Sequence, residues 1–222
     1  MTNRLIPKNL VRGAWCAVAL ACGHPPAQPQ TPVPTAPLPT AGISGQQVGI
    51  LPITLIAAED TLHWDTVVSE RDKADSVLTT LLKARAPEVG WVSPQELRRM
   101  ARRAPGIATD PEQMATPLLR DPRMVQVIDP LRNQLRTLAA IAGGLRYVLA
   151  PAGLVYRHTA IRPYGDTASS RPYGGTATAE LTVVLVDVRL GRVAWRTVAR
   201  GEADDPWTAL TRAVKALTPG LP

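Results

Sequence analysis

Apolar positions change their spacing several times along this chain, and each change marks an element. Val48 to Ala58 (VGILPITLIAA) is an apolar run rich in β-branched residues, the pattern of a central strand, with Pro52 a local irregularity. A polar stretch to Val68 reads as a loop. Ser69 then caps a helix to about Arg85, in which Ala74, Val77, Leu78, Leu81 and Leu82 form one stripe, and Pro87 stops it. Val89 to Val92 is a short strand leading into Ser93-Pro94-Gln95-Glu96, a capping box with proline at the first helical position. In that second helix Leu97, Met100, Ala101 and Ala104 share one face. Arg98, Arg99, Arg102 and Arg103 share the other, and Pro105-Gly106 ends it.

Residues 107 to 128 have no clear period and accommodate one or two short helices. Asp-Pro pairs recur at Asp110, Asp121, Asp129 and Asp205, each a cap followed by a helix-starting proline. The pair at Asp129 opens a helix through Leu131, Leu135, Leu138 and Ala142 that closes at Gly143-Gly144. Leu145 to Tyr156 reads as a strand interrupted near Pro151, and Ala177 to Val188 as a strand apolar on both faces. After a turn at Leu190-Gly191, the stretch from Arg192 to Gly201 sets Val193, Trp195 and Ala199 against Ala194, Arg196 and Arg200, completing a hairpin. Asp205-Pro206 starts a last helix with Trp207, Leu210, Val214 and Leu217 inward. This order implies one α/β domain over 48–222, with a mixed, partly antiparallel sheet and covering helices.

The amino-terminal residues follow another grammar. A basic start (Arg4, Lys8, Arg12) precedes the apolar run Gly13 to Ala21, then small residues and a cysteine, as in a secretory signal peptide over 1–21. Leu20-Ala21-Cys22-Gly23 resembles the lipobox of bacterial lipoproteins, which implies that Cys22 is acylated and becomes the first mature residue. An ordinary signal peptide cut near Ala21, or a buried start of the domain, is the other reading. Residues 22–47 are a linker, in which Pro25, Pro26, Pro29, Pro32, Pro34, Pro37 and Pro39 alternate with Gln, Thr and Ala and favour extended polyproline II.

Composition narrows the partners. Of the 222 residues 45% are apolar, enough for a core. Net charge is +7, and loss of the three basic leader residues leaves 22 Lys+Arg against 18 Asp+Glu, or +4. A basic balance suits anionic surfaces, but no zinc-finger spacing or RNA-recognition motif points to nucleic acid. Cys16 lies inside the leader, so Cys22 is left without an internal disulfide partner.

Three phrases carry a further resemblance: Val48 to Ile53 (VGILPI), Gly144 to Ala150 (GLRYVLA) and Leu181 to Gly201 (LTVVLVDVRLGRVAWRTVARG). They resemble stretches of a superfamily of envelope lipoprotein domains. It includes the curli secretion channel lipoprotein, the amino-terminal domain of the Tol translocation protein and the outer-membrane lipoprotein activators of penicillin-binding proteins. The resemblance implies an anticodon-binding-like α/β fold serving protein interactions rather than catalysis. Leu145 stands where the group often has Ala and Pro151 where it often has Gly, and residues 157 to 176 lack the alternating apolar segments of a pore hairpin. The layout of anchor, tether and domain is most similar to the synthase activators.

The chemistry of a site is sparse. His24, His63 and His158 are scattered and suggest no metal cluster, and no nucleophile elbow or phosphate loop is present, so neither a catalytic site nor a cofactor is expected. The expectation is a lipid-anchored, periplasm-facing interaction module of the outer membrane, an adaptor or activator of an envelope machine such as peptidoglycan synthesis. An oligomeric assembly or secretion component built on the same domain is the alternative. Gly23 after Cys22 is what similar lipoproteins carry when sent to the outer membrane. Two partner surfaces suggest themselves. Arg98, Arg99, Arg102 and Arg103 form an exposed face for an acidic envelope protein or anionic polymer, unless they merely solvate the helix, and changing all four should leave folding nearly intact. Tyr164 and Tyr173 sit in a tandem repeat, Arg-Pro-Tyr-Gly, read as an extended loop that either contacts a partner or is a duplication of no consequence.

Overall fold

The computed structural model describes residues 36–58, 67–160 and 175–218. Its sheet contains β1 (Gln47–Ile50), β2 (Ile56–Ala58), β3 (Gly90–Val92), β4 (Tyr147–Ala160), β5 (Gly175–Asp187) and β6 (Arg192–Ala203). The order is β3-β1-β4-β5-β6, and β2 pairs farther along β4. β1 is parallel to both β3 and β4, whereas the β4–β5 and β5–β6 pairs are antiparallel. Helices α1 (Thr40–Ile43), α2 (Val67–Arg85), α3 (Pro94–Arg102), α4 (Leu131–Ile141) and α5 (Pro206–Leu217) complete the expected mixed α/β fold.

Both faces of the sheet are covered. Ala74, Leu78 and Leu82 of α2 pack with Leu210, Val214 and Leu217 of α5 on Val48, Ile50, Leu149, Val183 and Leu185. On the other face Leu97 and Ala101 of α3 and Leu131, Leu135 and Leu138 of α4 meet Val148, Ala150, Val184 and Val186. Successive residues of a strand point to opposite faces, so the run Val183 to Val186 in β5 is apolar at every position and serves both layers. Gly49 leaves room on the second face: a Cβ there would lie 2.9 Å from Leu145 and 3.4 Å from Leu97. On the first face α5 lies directly against β6, where a Cβ on Gly201 would collide with the backbone of Ala209 and Ala213.

Several boundaries differ from expectation, each for a physical reason. The first strand breaks after Ile50, and its free amide at Ile53 is taken by the Asp75 carboxylate at 2.9 Å. β4, expected to run to Tyr156 with an interruption near Pro151, is interrupted there by a bulge between Pro151 and Gly153 and continues to Ala160. The extra residue resets the alternation, so Ala150 and Ala152 face the α3–α4 layer while Leu154 and Tyr156 face the α2–α5 layer. A second irregularity, between Leu185 and Val186, does the same to β6. Val193 therefore packs on the α3–α4 side and Trp195 on the other, not together as expected, and Trp195 is only half-buried.

α2 begins at Val67, ahead of the expected cap at Ser69. Of the Asp-Pro pairs, Asp110 and Asp205 accept amides of Glu112 and Thr208 and open a short 3-10 turn (Pro111–Gln113) and α5. Asp121 instead closes a turn by accepting the Arg123 amide, after a second 3-10 turn at Thr116–Arg120. Pro130, joined to Asp129 by a cis bond, itself holds the cap position of α4, which no side chain caps. Gly143 and Gly144 adopt φ of 92° and 81°, a left-handed exit that suits glycine.

The packed region starts earlier than residue 48. Leu38 and Ile43, expected to lie in the linker, are buried in the α2–α5 core. The Leu38 amide donates to the Leu217 carbonyl at 2.8 Å, and the Ala36 amide to Thr197 Oγ1 at 3.0 Å.

Candidate functional site

The arginine-bearing helix α3 is fixed at its start. Ser93 Oγ accepts the Glu96 amide at 3.3 Å, and the Glu96 carboxylate accepts the Ser93 amide at 2.7 Å and its hydroxyl at 2.8 Å. The Ser93 amide, and then its hydroxyl, hold the Glu96 carboxyl below its ordinary value. Leu97 and Ala101 point inward and set the rotation of the helix. Arg99, Arg102 and Arg103 are consequently exposed. Among the described residues no carboxylate forms an ion pair with Arg102 or Arg103, while Arg99 lies near Glu96.

Arg98 does not belong with them. Its side chain is 14% exposed and turns toward α2, placing one terminal nitrogen 2.7 Å from Asp75 Oδ2 and Nε 2.6 Å from Glu112 Oε1. Asp72 lies 3.8 Å away. Helical spacing places residue 98 beside Leu97 and next to the inward face, and a long guanidinium can reach partners that spacing alone does not reveal. Burial works against the Arg98 charge, but Asp75 and Glu112 outweigh it and raise its affinity for the proton. Asp75 is fully buried. That burial lifts its carboxyl to about 6, even though the Ile53 amide and Arg98 both pull it down.

This cluster stitches the broken first strand to α2 and to the 3-10 turn at Thr116–Arg120. Asp75 holds Ile53, Arg71 donates to the Thr54 carbonyl at 3.1 Å, and the Thr54 and Thr116 hydroxyls share a hydrogen bond of 2.8 Å. Arg98 is thus a structural tie, and changing it along with its exposed neighbours would disturb folding, contrary to expectation. One signal for the cluster was present in the sequence. Asp75 interrupts the apolar stripe of α2, three residues before Leu78, where a buried acid requires a donor or a cation.

Cys22, Tyr164 and Tyr173 lie outside the described residues. Among the described residues no group of His, Cys, Asp and Glu could hold a metal ion, and no helix is long and apolar enough to cross a membrane. An open groove of about 640 Å³ runs between α2 and α5, lined by Asp72, Lys73, Ser76, Val77 and Trp207, with the Lys73 ammonium 5.6 Å from the Trp207 ring centre.

The arrangement defines an α/β domain with a basic helix edge. No family model matches the chain, and no curated protein sequence matches it. Among solved structures it is similar to the PelC dodecamer from Paraburkholderia phytofirmans, at a TM-score of 0.41 and 15% identity over 85% of this chain and 95% of that one. It is also similar to the LpoB C-terminal domain from Salmonella enterica, at a TM-score of 0.40 and 14% identity over 73% and 84%. Lipoprotein GNA1162 from Neisseria meningitidis follows at 0.35 and 13%, over 72% and 85%. At such scores the likeness carries no function from those proteins to this one.

Proposed function

We propose that the chain is a lipid-anchored protein-interaction module of the bacterial cell envelope, held at the periplasmic side of the outer membrane by acylated Cys22. It acts as an adaptor or activator of an envelope machine such as peptidoglycan synthesis. The observation that carries the docking surface is the exposure of Arg99, Arg102 and Arg103 together on one edge of α3, while the neighbouring Arg98 is neutralised inside. Guanidinium groups left free in this way match carboxylates on an acidic partner. Such docking is partly long-range steering and weakens as salt rises.

Two experiments test the parts separately. Arg99, Arg102 and Arg103 changed together to Gln should lower the unfolding free energy by no more than about 0.5 kcal/mol per position, since exposed positions rarely contribute more. Recovery of cross-linked envelope partners should fall severalfold in low salt; unchanged recovery returns these arginines to a merely solvated edge. Cys22→Ser should abolish fatty-acid labelling and the membrane retention that survives a high-salt wash, because it removes every acyl chain the anchor would carry. If the wild-type amino-terminal peptide carries no lipid mass, the anchor is wrong whatever the fate of the arginine edge.

A further inference from the structure

A second basic surface, unrelated to α3, surrounds the turn between β5 and β6. Arg136 of α4 reaches over this turn, donating from Nε to the Val188 carbonyl at 3.4 Å and from a terminal nitrogen to the Arg189 carbonyl at 3.2 Å. The Arg132 side chain lies so close to Gly191 that a Cβ there would sit 2.6 Å from its Nε. Arg146, stacked on Tyr147 at 4.9 Å, pairs with Asp187 at 3.2 Å from the other side. Arg189 and Arg192 flank the tip and are exposed. Carboxylates near these residues include Asp187, which also accepts the Leu190 amide at 3.0 Å, and the exposed Asp121 and Asp129. Positive charge remains in excess.

Apolar side chains stand among these arginines. Leu190 at the tip is 57% exposed, Ile128 53% and Val125 65%. They are neighbours because residues 125–127 pair with the turn: the Val127 amide donates to the Gly191 carbonyl, and the Val193 amide to the Val125 carbonyl, each at 2.9 Å. Two adjoining hollows, of about 330 Å³ and about 290 Å³, meet at Gly144 and Leu145. Arg136 and Arg189 rim one and Arg146 the other, which leaves room for anionic headgroups between the guanidinium groups.

We propose that this turn is a membrane-contact site that docks on an anionic phospholipid surface, with Leu190, Ile128 and Val125 entering the headgroup boundary and the surrounding arginines pairing with lipid phosphates. Leu190 at the tip and Val125 and Ile128 beside it protrude from the surface, and a lipid surface deforms around protruding apolar side chains. Guanidinium forks pair with phosphate, and each arginine near an anionic membrane contributes to binding. The contact is made by the folded domain itself and does not depend on acylation of Cys22.

The test uses the full chain with Cys16→Ser, Cys22→Ser and Leu190→Cys, so that an environment-sensitive dye attaches at position 190 alone. Vesicles of phosphatidylcholine containing about a third phosphatidylglycerol should shift its emission to the blue, and pure phosphatidylcholine vesicles should not. Adding Arg189→Gln and Arg192→Gln should weaken the response by roughly 10- to 30-fold in lipid concentration, taking the contribution of each arginine as about three- to fivefold. Soluble polyglutamate should leave the dye unshifted. A blue shift equal on both vesicle types, no shift on either, or an unchanged response in the arginine variant overturns the proposal. A shift with polyglutamate also overturns it, by making the turn a site for acidic polymers. Because the reporter replaces one of the apolar residues, a second chain carries the dye at Val125→Cys with Leu190 intact, and it should give the same ordering of responses.

Discussion

Arg98→Met lowers the stability of the domain by about 3 to 5 kcal/mol at pH 8, because it strands the buried Asp75 carboxylate and leaves Glu112 without its cation. The size of the loss depends on pH, and its sign follows from Asp75. In the wild type that carboxyl is lifted by burial to about 6, above its unfolded value. A group raised on folding supports the fold fully below about pH 4 and loses that support as pH rises through 6. Without Arg98 one of the influences that hold the value down is gone, so it rises further. The variant then regains stability on acidification before the wild type does. The gap between the two proteins should be widest at pH 8 and narrow toward pH 5. Urea midpoints at pH 5, 6.5 and 8 measure it, and a constant gap would mean that Arg98 acts through the packing of its stem alone.

Leu185→Ala and Leu138→Ala should each cost about 2 to 5 kcal/mol, seen as a lower urea midpoint at unchanged slope. Leu185 is 2% exposed in β5, opposite Leu149 and Trp195 in the neighbouring strands, and hydrogen-bonded ladders on both sides keep the resulting cavity from collapsing. Leu138 is fully buried where α4 meets the other face. Leu81, expected to be equally buried, lies half-exposed at the edge of α2, so Leu81→Ala should cost distinctly less. Equal losses at all three positions would show that the core does not divide as described.

Elements with an internal period were legible before the structure. The stripe of α2, the capping box of α3 and the two-sided apolar run of β5 each declare themselves within a few consecutive residues. Features that depend on a distant partner were not. A bulge is defined by the strand opposite: Pro151 signalled an interruption but not the flip of alternation, and nothing near Ala194 signalled either. Arg98 takes its orientation from Asp75, 23 residues away on another helix. Leu38 and Ile43 are isolated apolar residues among prolines, without a period to mark them as core. The basic turn is assembled from α4, the start of β4 and the β5–β6 connection. Its arginines never form a run in the sequence.

The docking of residues 36–43 also decides how the domain bears mechanical load. Tension arriving along the chain from its amino-terminal side enters at Ala36 and passes first to Thr197 in β6 and to the Leu217 carbonyl at the end of α5, not to β1. The sheet is therefore gripped through its carboxy-terminal elements while Gln47 onward stays slack. A pull strong enough to break those hydrogen bonds peels Leu38 and Ile43 from the core before it strains the β1–β4 pairing. Release of this segment would free at most roughly 25 Å of contour, at about 3.1 to 3.4 Å per residue, and so would act as a shock absorber between the proposed anchor and the sheet.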